Sequence, residues 1–106
     1  MKDMNFSFRC IAYQEKDDSF TGVCLDLDIV EEGHSSLEEA ILSINEAIIS
    51  HLQAAAKLNY PKELIDRSAP KEYWDKIKVL TNVEVSNKNL PAFQFFTTNP
   101  SHMIYA

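Results

Sequence analysis

Between Leu37 and Ala55 the apolar residues Leu37, Ala40, Ile41, Ile44, Ala47, Ile48, Leu52 and Ala55 recur at steps of three and four. That is the period of one face of an α-helix. Glu39, Ser43, Glu46, Ser50 and Gln53 take the opposite face. Ser35 and Ser36 each have a glutamate three residues on, Glu38 and Glu39, so either serine can serve in a capping box. Both glutamates sit where the helix dipole favours negative charge. Tyr60-Pro61 ends the segment, because proline disfavours helix in the residue before it. The result is a rod of roughly 33 Å at about 1.5 Å per residue. A lone helix with such a stripe needs a sheet to bury it.

The preceding residues supply that sheet. Asn5 to Gln14 alternates, with Phe6, Phe8, Cys10 and Ala12 on one face and Ile11 and Tyr13 on the other. Glu15 to Ser19 is a polar turn of hairpin length. A second strand spans Phe20 to Leu27, with Val23, Leu25 and Leu27 opposite Phe20, Gly22 and Cys24. A third, Ile29 to Glu32, ends at Gly33, where glycine suits a positive φ at a sharp turn. A hairpin centred on Asp17 places Cys10 opposite Cys24. In a reducing compartment two small buried thiols are expected there rather than a disulfide.

Both hairpin faces carry apolar residues, and one helix covers one face. The other face must be covered by the C-terminal third or by another subunit, which predicts a homodimer or tetramer. Past the helix, a turn of helix is read at Lys62–Asp66 and a short helix at 70–77, with Tyr73, Trp74 and Ile77 on one side. Ile77, Val79, Thr81, Val83 and Val85 alternate strictly, which predicts a strand from about Lys78. A turn at Asn87–Asn89 leads to a further strand or aromatic arm over Ala92–Thr98, and the apolar tail His102–Ala106 is expected to be tied down. The fold class expected is α+β: a three-stranded antiparallel sheet with one long helix on one face, a β-β-β-α-β core over 5–58. A C-terminal extension over 59–106 adds one or two strands, all within one domain and with no separate DNA-binding domain.

At 106 residues, 45% hydrophobic and 25% charged, the composition is that of an ordinary globular chain. Without a signal-peptide pattern or a long apolar run, cytoplasmic location is the expectation and no membrane association is foreseen. The net charge of −6 is uneven, since residues 15–39 hold nine acidic residues against Lys16 alone. Such a concentration repels nucleic-acid phosphates, so direct nucleic-acid binding is not expected. It attracts a basic partner and speeds the encounter; its plain alternative is a solvated surface kept soluble by charge.

Catalytic patterns are absent. Gly22 and Gly33 are the only glycines, which rules out a phosphate-cradling loop of either common type. His34, His51 and His102 lie at no metal-ligand spacing, no serine sits in a nucleophile elbow, and no cofactor is implied. Asp26 and Asp28 are the one pair of interest. Two apart on a strand, they would point to the same side and could converge on a divalent metal with Glu31 or Glu32. Their plain reading is a solvated strand end. Tyr73 and Trp74 form either a recognition patch or an anchor for the C-terminal segment.

The order Gly22-Val23-Cys24-Leu25-Asp26-Leu27-Asp28-Ile29-Val30, Gly33-His34-Ser35, Leu37-Glu38-Glu39-Ala40 and Asn45-Glu46-Ala47-Ile48 resembles the HicB-like family, the antitoxin side of HicA/HicB toxin–antitoxin modules and their solitary relatives. The resemblance covers about residues 6–58, with Arg67, Ala69-Pro70 and Glu72-Tyr73-Trp74 similar to an extension in longer solitary members. It implies a reduced RNase H-like core, dimers or tetramers, and a partner in the form of a small basic HicA-like RNase. Three departures stand out. No helix-turn-helix pattern follows residue 58, His34 takes an acid's place in a helix approach one residue longer than usual, and only Asp26 and Asp28 are available as RNase H-like metal ligands.

Three functions compete on this reading. The first is an antitoxin-type interaction module whose acidic surface, with Asp26, Asp28, Glu31 and Glu32 as candidates, masks a basic RNase-like partner. The second is a solitary oligomeric HicB-like domain. The third is a degenerate metal-dependent nuclease centred on Asp26 and Asp28.

Overall fold

The structure, a computed structural model, describes residues 6–86 and 93–99. Its elements are β1 (Phe8–Gln14), β2 (Phe20–Cys24), β3 (Ile29–His34), α1 (Leu37–Lys57), α2 (Lys62–Ile65), α3 (Lys71–Ser86) and β4 (Phe93–Thr98). The four strands form one antiparallel sheet in the order β3-β2-β1-β4. The fold is α+β, as the periodicities indicate.

β1 and β2 are the inner strands, and both of their faces are buried. Phe6, Phe8, Cys10, Cys24 and Leu27 pack with Ile44, Ile48 and Leu52 of α1, and Phe96 of β4 closes that layer. On the opposite face Ile11, Tyr13, Val23 and Leu25 are covered by Ala69 and by Tyr73, Trp74 and Ile77 of α3. The chain therefore covers its second face with its own C-terminal third. At about 1.5–3 kcal/mol per buried large aliphatic side chain, these two layers are the main source of stability.

The register follows the expected alternation. Cys10 lies opposite Cys24 and Ala12 opposite Gly22, and both cysteines are free and fully buried. The hairpin turn closes through Glu15 N–H to the Ser19 carbonyl at 2.7 Å, with Asp18 at φ 69. A left-handed residue at the end of a three-residue loop matches the right-handed twist of the strands. Gly33 has φ +80, but β3 does not end there: it runs on to His34, paired with Phe20 across a register shift, so the left-handed glycine sits at an irregularity within the strand. Ser36 is the N-cap of α1, accepting from Glu39 N–H at 3.0 Å. The Glu39 carboxylate reaches back to the Ser35 hydroxyl at 2.8 Å, so the two serines divide the capping-box roles. Asn59 and Tyr60 take left-handed φ values of 64 and 54 after the C-cap, Leu58.

Two expectations are corrected. The alternation from Ile77 to Val85 does not make a strand, because α3 continues unbroken to Ser86. Tyr73, Trp74 and Ile77 must reach one face of the sheet together, and only helical spacing lets them do so. Once that turn exists, each further residue adds a bond at little cost, which outweighs the β preference of the branched residues. Strand β2 also stops at Cys24 rather than Leu27. Residues 25–28 form turns that carry Leu27 to the α1 layer while Leu25 stays on the other face. The expected turn at 87–89 and the tail at 102–106 lie outside the described residues. No described helix is long and apolar enough to cross a membrane.

At Gly22 α1 lies close against the sheet. A Cβ built there lies 2.7 Å from the Ala40 carbonyl oxygen and 3.2 Å from Ile44 Cβ. Gly22→Ala should therefore push the helix off the sheet and cost about 1–3 kcal/mol. Urea titration checks this through a lower midpoint at unchanged slope.

Candidate functional site

The four acidic candidates do not form one cluster. Asp26 sits in the turn after β2, where its carboxylate accepts from the Arg9 backbone N–H at 2.7 Å, from Nε at 3.1 Å and from Nη2 at 2.7 Å. The same turn receives the chain before α3, with Arg67 N–H on the Asp26 carbonyl at 3.0 Å and Ala69 N–H on the Leu25 carbonyl at 2.8 Å. Trp74 completes the arrangement. Its ring lies 4.7 Å under the Arg9 guanidinium, and its Nε1 donates to Ser68 Oγ and the Ala69 carbonyl. Asp26 and Trp74 thus fasten the C-terminal segment to the hairpin. Burial works against the Asp26 charge, but the Arg9 hydrogen bonds and positive charge together outweigh it and hold the carboxyl below its usual range.

Asp28 is exposed in the same turn, at φ 55. Because residues 25–28 are not strand, the alternation that would have aligned the Asp26 and Asp28 carboxylates does not apply there. Among the described residues no group of three or more His, Cys, Asp or Glu side chains is placed to hold a metal ion.

The other two candidates diverge along β3. Glu31 turns toward α1 and accepts from Ser43 Oγ at 3.0 Å. Glu32 turns toward the α3 side and lines an open cleft of about 790 Å³. That cleft lies between the hairpin end, the end of β3 and α3; Glu15, Asp17 and Glu32 line it together with Lys16, Lys76, Tyr13, Thr21 and Val79. Thr21 is fully buried, and its hydroxyl fixes Glu15 at 2.7 Å. Asp17 accepts from the Ser19 N–H at 3.0 Å and hydroxyl at 2.6 Å, and both bonds lower its pKa. Lys76 Nζ stands 4.1 Å from the Tyr13 ring centroid.

The carboxylates of this region act on Tyr13, which lines the cleft, and on Tyr73 of α3. Burial raises the Tyr13 hydroxyl pKa, and the negative charges of Glu15, Glu32 and Glu72 raise it further. Tyr73 shifts the same way through burial and then Glu72, Glu32, Asp28 and Glu15. Glu38 and Glu39 lie in the first turn of α1, which follows β3 directly. The acidic sequence run is therefore divided: Glu15, Asp17 and Glu32 share the hairpin-end cleft with Lys16 and Lys76, Glu31 faces α1, Asp28 lies at the other end of β3, and Asp26 is in a structural ion pair. Tyr13 and Lys76 belong to this site and carry no sequence signal, because they meet only when α3 crosses the hairpin.

Both thiols are fully buried; their mutual hydrogen bond, with burial, raises the Cys10 pKa, and the same bond lowers that of Cys24. Of the histidines among the described residues, His51 Nε2 meets the Leu64 carbonyl and ties α2 to α1, and His34 Nδ1 lies 3.5 Å from Glu39.

Comparison with known proteins finds no matching family model, no matching curated protein and no matching solved structure.

A carboxyl whose folded pKa lies below its unfolded value stabilises above the unfolded value, and that contribution is lost as pH falls through the folded value. Asp26 should therefore lend stability at neutral pH that fades below about pH 4. Asp26→Asn should cost about 1–2 kcal/mol at pH 7, the lower end because Arg9 is screened by solvent. Thermal melts of both proteins at pH 7 and at acid pH should converge at the acid end.

Proposed function

We propose that this chain is an antitoxin-type interaction module of HicB-like character, which masks a small basic RNase-like partner through the carboxylate surface at its hairpin end. The single observation that carries this reading is the convergence of Glu15, Asp17 and Glu32 on one cleft. Buried Thr21 and the Ser19 hydrogen bonds hold Glu15 and Asp17 in place. Fixed carboxylates need little reordering to meet lysine or arginine side chains, which lowers the entropic cost of docking. They also steer a basic protein during encounter. A cleft of about 790 Å³ can admit side chains from a partner surface. The HicB-like resemblance of residues 6–58 supplies the class of partner. The nuclease alternative draws no support from Asp26, whose carboxylate is occupied by Arg9.

The partner would contact Glu15, Asp17 and Glu32, with Glu38 and Glu39 extending the field. Asp28 lies at the other end of β3 from the hairpin turn and serves as the control. Immobilised protein should capture a small basic RNase-like protein from native lysate and release it as salt rises. Reversing the charge with Glu15→Lys and Glu32→Lys should slow association by on the order of tenfold or more, whereas Asp28→Lys should change it little. Equal losses from all three variants, or capture insensitive to salt, would count against the carboxylate surface as the docking face.

A further inference from the structure

Cys10 and Cys24 meet across the hairpin, and the backbone ladder sets how they meet. Leu25 N–H bonds to the Arg9 carbonyl at 2.8 Å, and Glu15 N–H bonds to the Ser19 carbonyl at 2.7 Å. Residues 9 and 25, like residues 15 and 19, are therefore hydrogen-bonded pairs of the antiparallel ladder. Cys10 and Cys24, one step along the same register, form a non-hydrogen-bonded pair. The Cα atoms of such a pair stand about 4.5 Å apart, and its side chains lie closer than those of a bonded pair. A disulfide spans Cα separations of about 4.4–6.8 Å, so this pair can close with little backbone movement. It falls at the short end of that range, where the bond is strained and more easily reduced.

The two sulfurs are not equivalent. Cys24 is the last residue of β2, and the turn that follows directs the backbone N–H groups of Asp26 and Leu27 at its sulfur. The Cys10 thiol supplies a third hydrogen bond. Three donors stabilise negative charge on the Cys24 sulfur. Cys10 instead has an acceptor on either side, Cys24 and the Phe8 carbonyl at 3.8 Å, and keeps its proton. Both side chains lie in the apolar layer beneath α1, on the opposite face of the sheet from Tyr13 and the cleft.

We propose that Cys10 and Cys24 are a peroxide-sensitive pair, in which Cys24 is oxidised first and Cys10 resolves it into a reversible cross-strand disulfide. The Cys24 sulfur attacks one oxygen of hydrogen peroxide and the O–O bond breaks. The departing hydroxide takes the Cys24 proton as water, and Cys24 becomes a sulfenic acid. The Cys10 sulfur then attacks the Cys24 sulfur, the S–O bond breaks, and the Cys10 proton leaves with that hydroxide as a second water. The two thiols give up two electrons, and one peroxide is reduced to two waters. Burial selects the oxidant. Both residues are fully buried, so a reagent near the size of water reaches Cys24 through local opening of the 25–28 turn, where a bulky disulfide cannot. Contact with Cys10 then closes the disulfide before a second peroxide arrives.

The test treats the folded full chain with hydrogen peroxide and follows intact mass and free thiols. The product should lose two hydrogens and both thiols, and run as a single chain without reductant. It should keep its far-UV circular dichroism spectrum and regain both thiols with dithiothreitol. Cys10→Ser should stop at a sulfenic acid on Cys24 that dimedone captures. Cys24→Ser should oxidise at Cys10 more slowly, by on the order of tenfold or more. Unfolding in urea should erase that difference, because the donors that distinguish the two sulfurs belong to the fold. Independently of any folding defect in the variants, dimedone present while the unaltered protein oxidises should label Cys24 and not Cys10. Two intact thiols after prolonged exposure, or sulfinic acid in place of a disulfide, would overturn the proposal. So would dimedone capture at Cys10, or equal oxidation rates for the two folded variants.

Discussion

Everything in this molecule depends on a hairpin that is apolar on both faces. β1 and β2 cannot rest with either face in water, so the chain must supply two covering layers. α1 provides the first through Ile44, Ile48 and Leu52. The second comes from Ala69, Tyr73, Trp74 and Ile77, which lie far along the sequence from the strands they cover. Close approach on the first face requires Gly22, where the Ala40 carbonyl leaves no room for a Cβ. The cleft opens on the second face.

The turn at Asp26 makes the second layer possible. One carboxylate gathers the Arg9 backbone and guanidinium, and the adjoining carbonyls receive Arg67 and Ala69. Trp74 then stacks under Arg9. An acidic residue that looks like half of a metal site in a strand alignment is thus a clasp between the hairpin and the segment leading to α3. A part-buried ion pair with several hydrogen bonds holds position more than it adds stability. Here that position determines where α3 crosses the hairpin and hence where Lys76 and Tyr13 meet.

Charge is then distributed by strand order. The acidic run between residues 15 and 39 follows the hairpin turn, β3 and the start of α1. β4 inserts on the other side of β1 and brings no charge.

The sequence by itself determined the strongly periodic elements and their faces. The α1 stripe, the Cys10–Cys24 register and the positive φ at Gly33 are set by residues near one another in the chain, where period, turn length and glycine freedom act locally. The concentration of acid was equally legible, since charge can be counted without coordinates. Only the tertiary structure decided the rest. Residues 77–85 alternate like a strand yet remain helical, because Tyr73, Trp74 and Ile77 anchor the helix on a sheet whose hydrophobic face local sequence cannot anticipate. Asp26 and Asp28 look like a pair only while the strand is imagined to continue past Cys24; the hydrogen bonds from Arg9, Arg67 and Ala69 bend that segment into turns. Which carboxylates share a cleft, and which edge stays neutral, depends on strand order and on where α3 crosses. Those are long-range choices made by burial of the second apolar face.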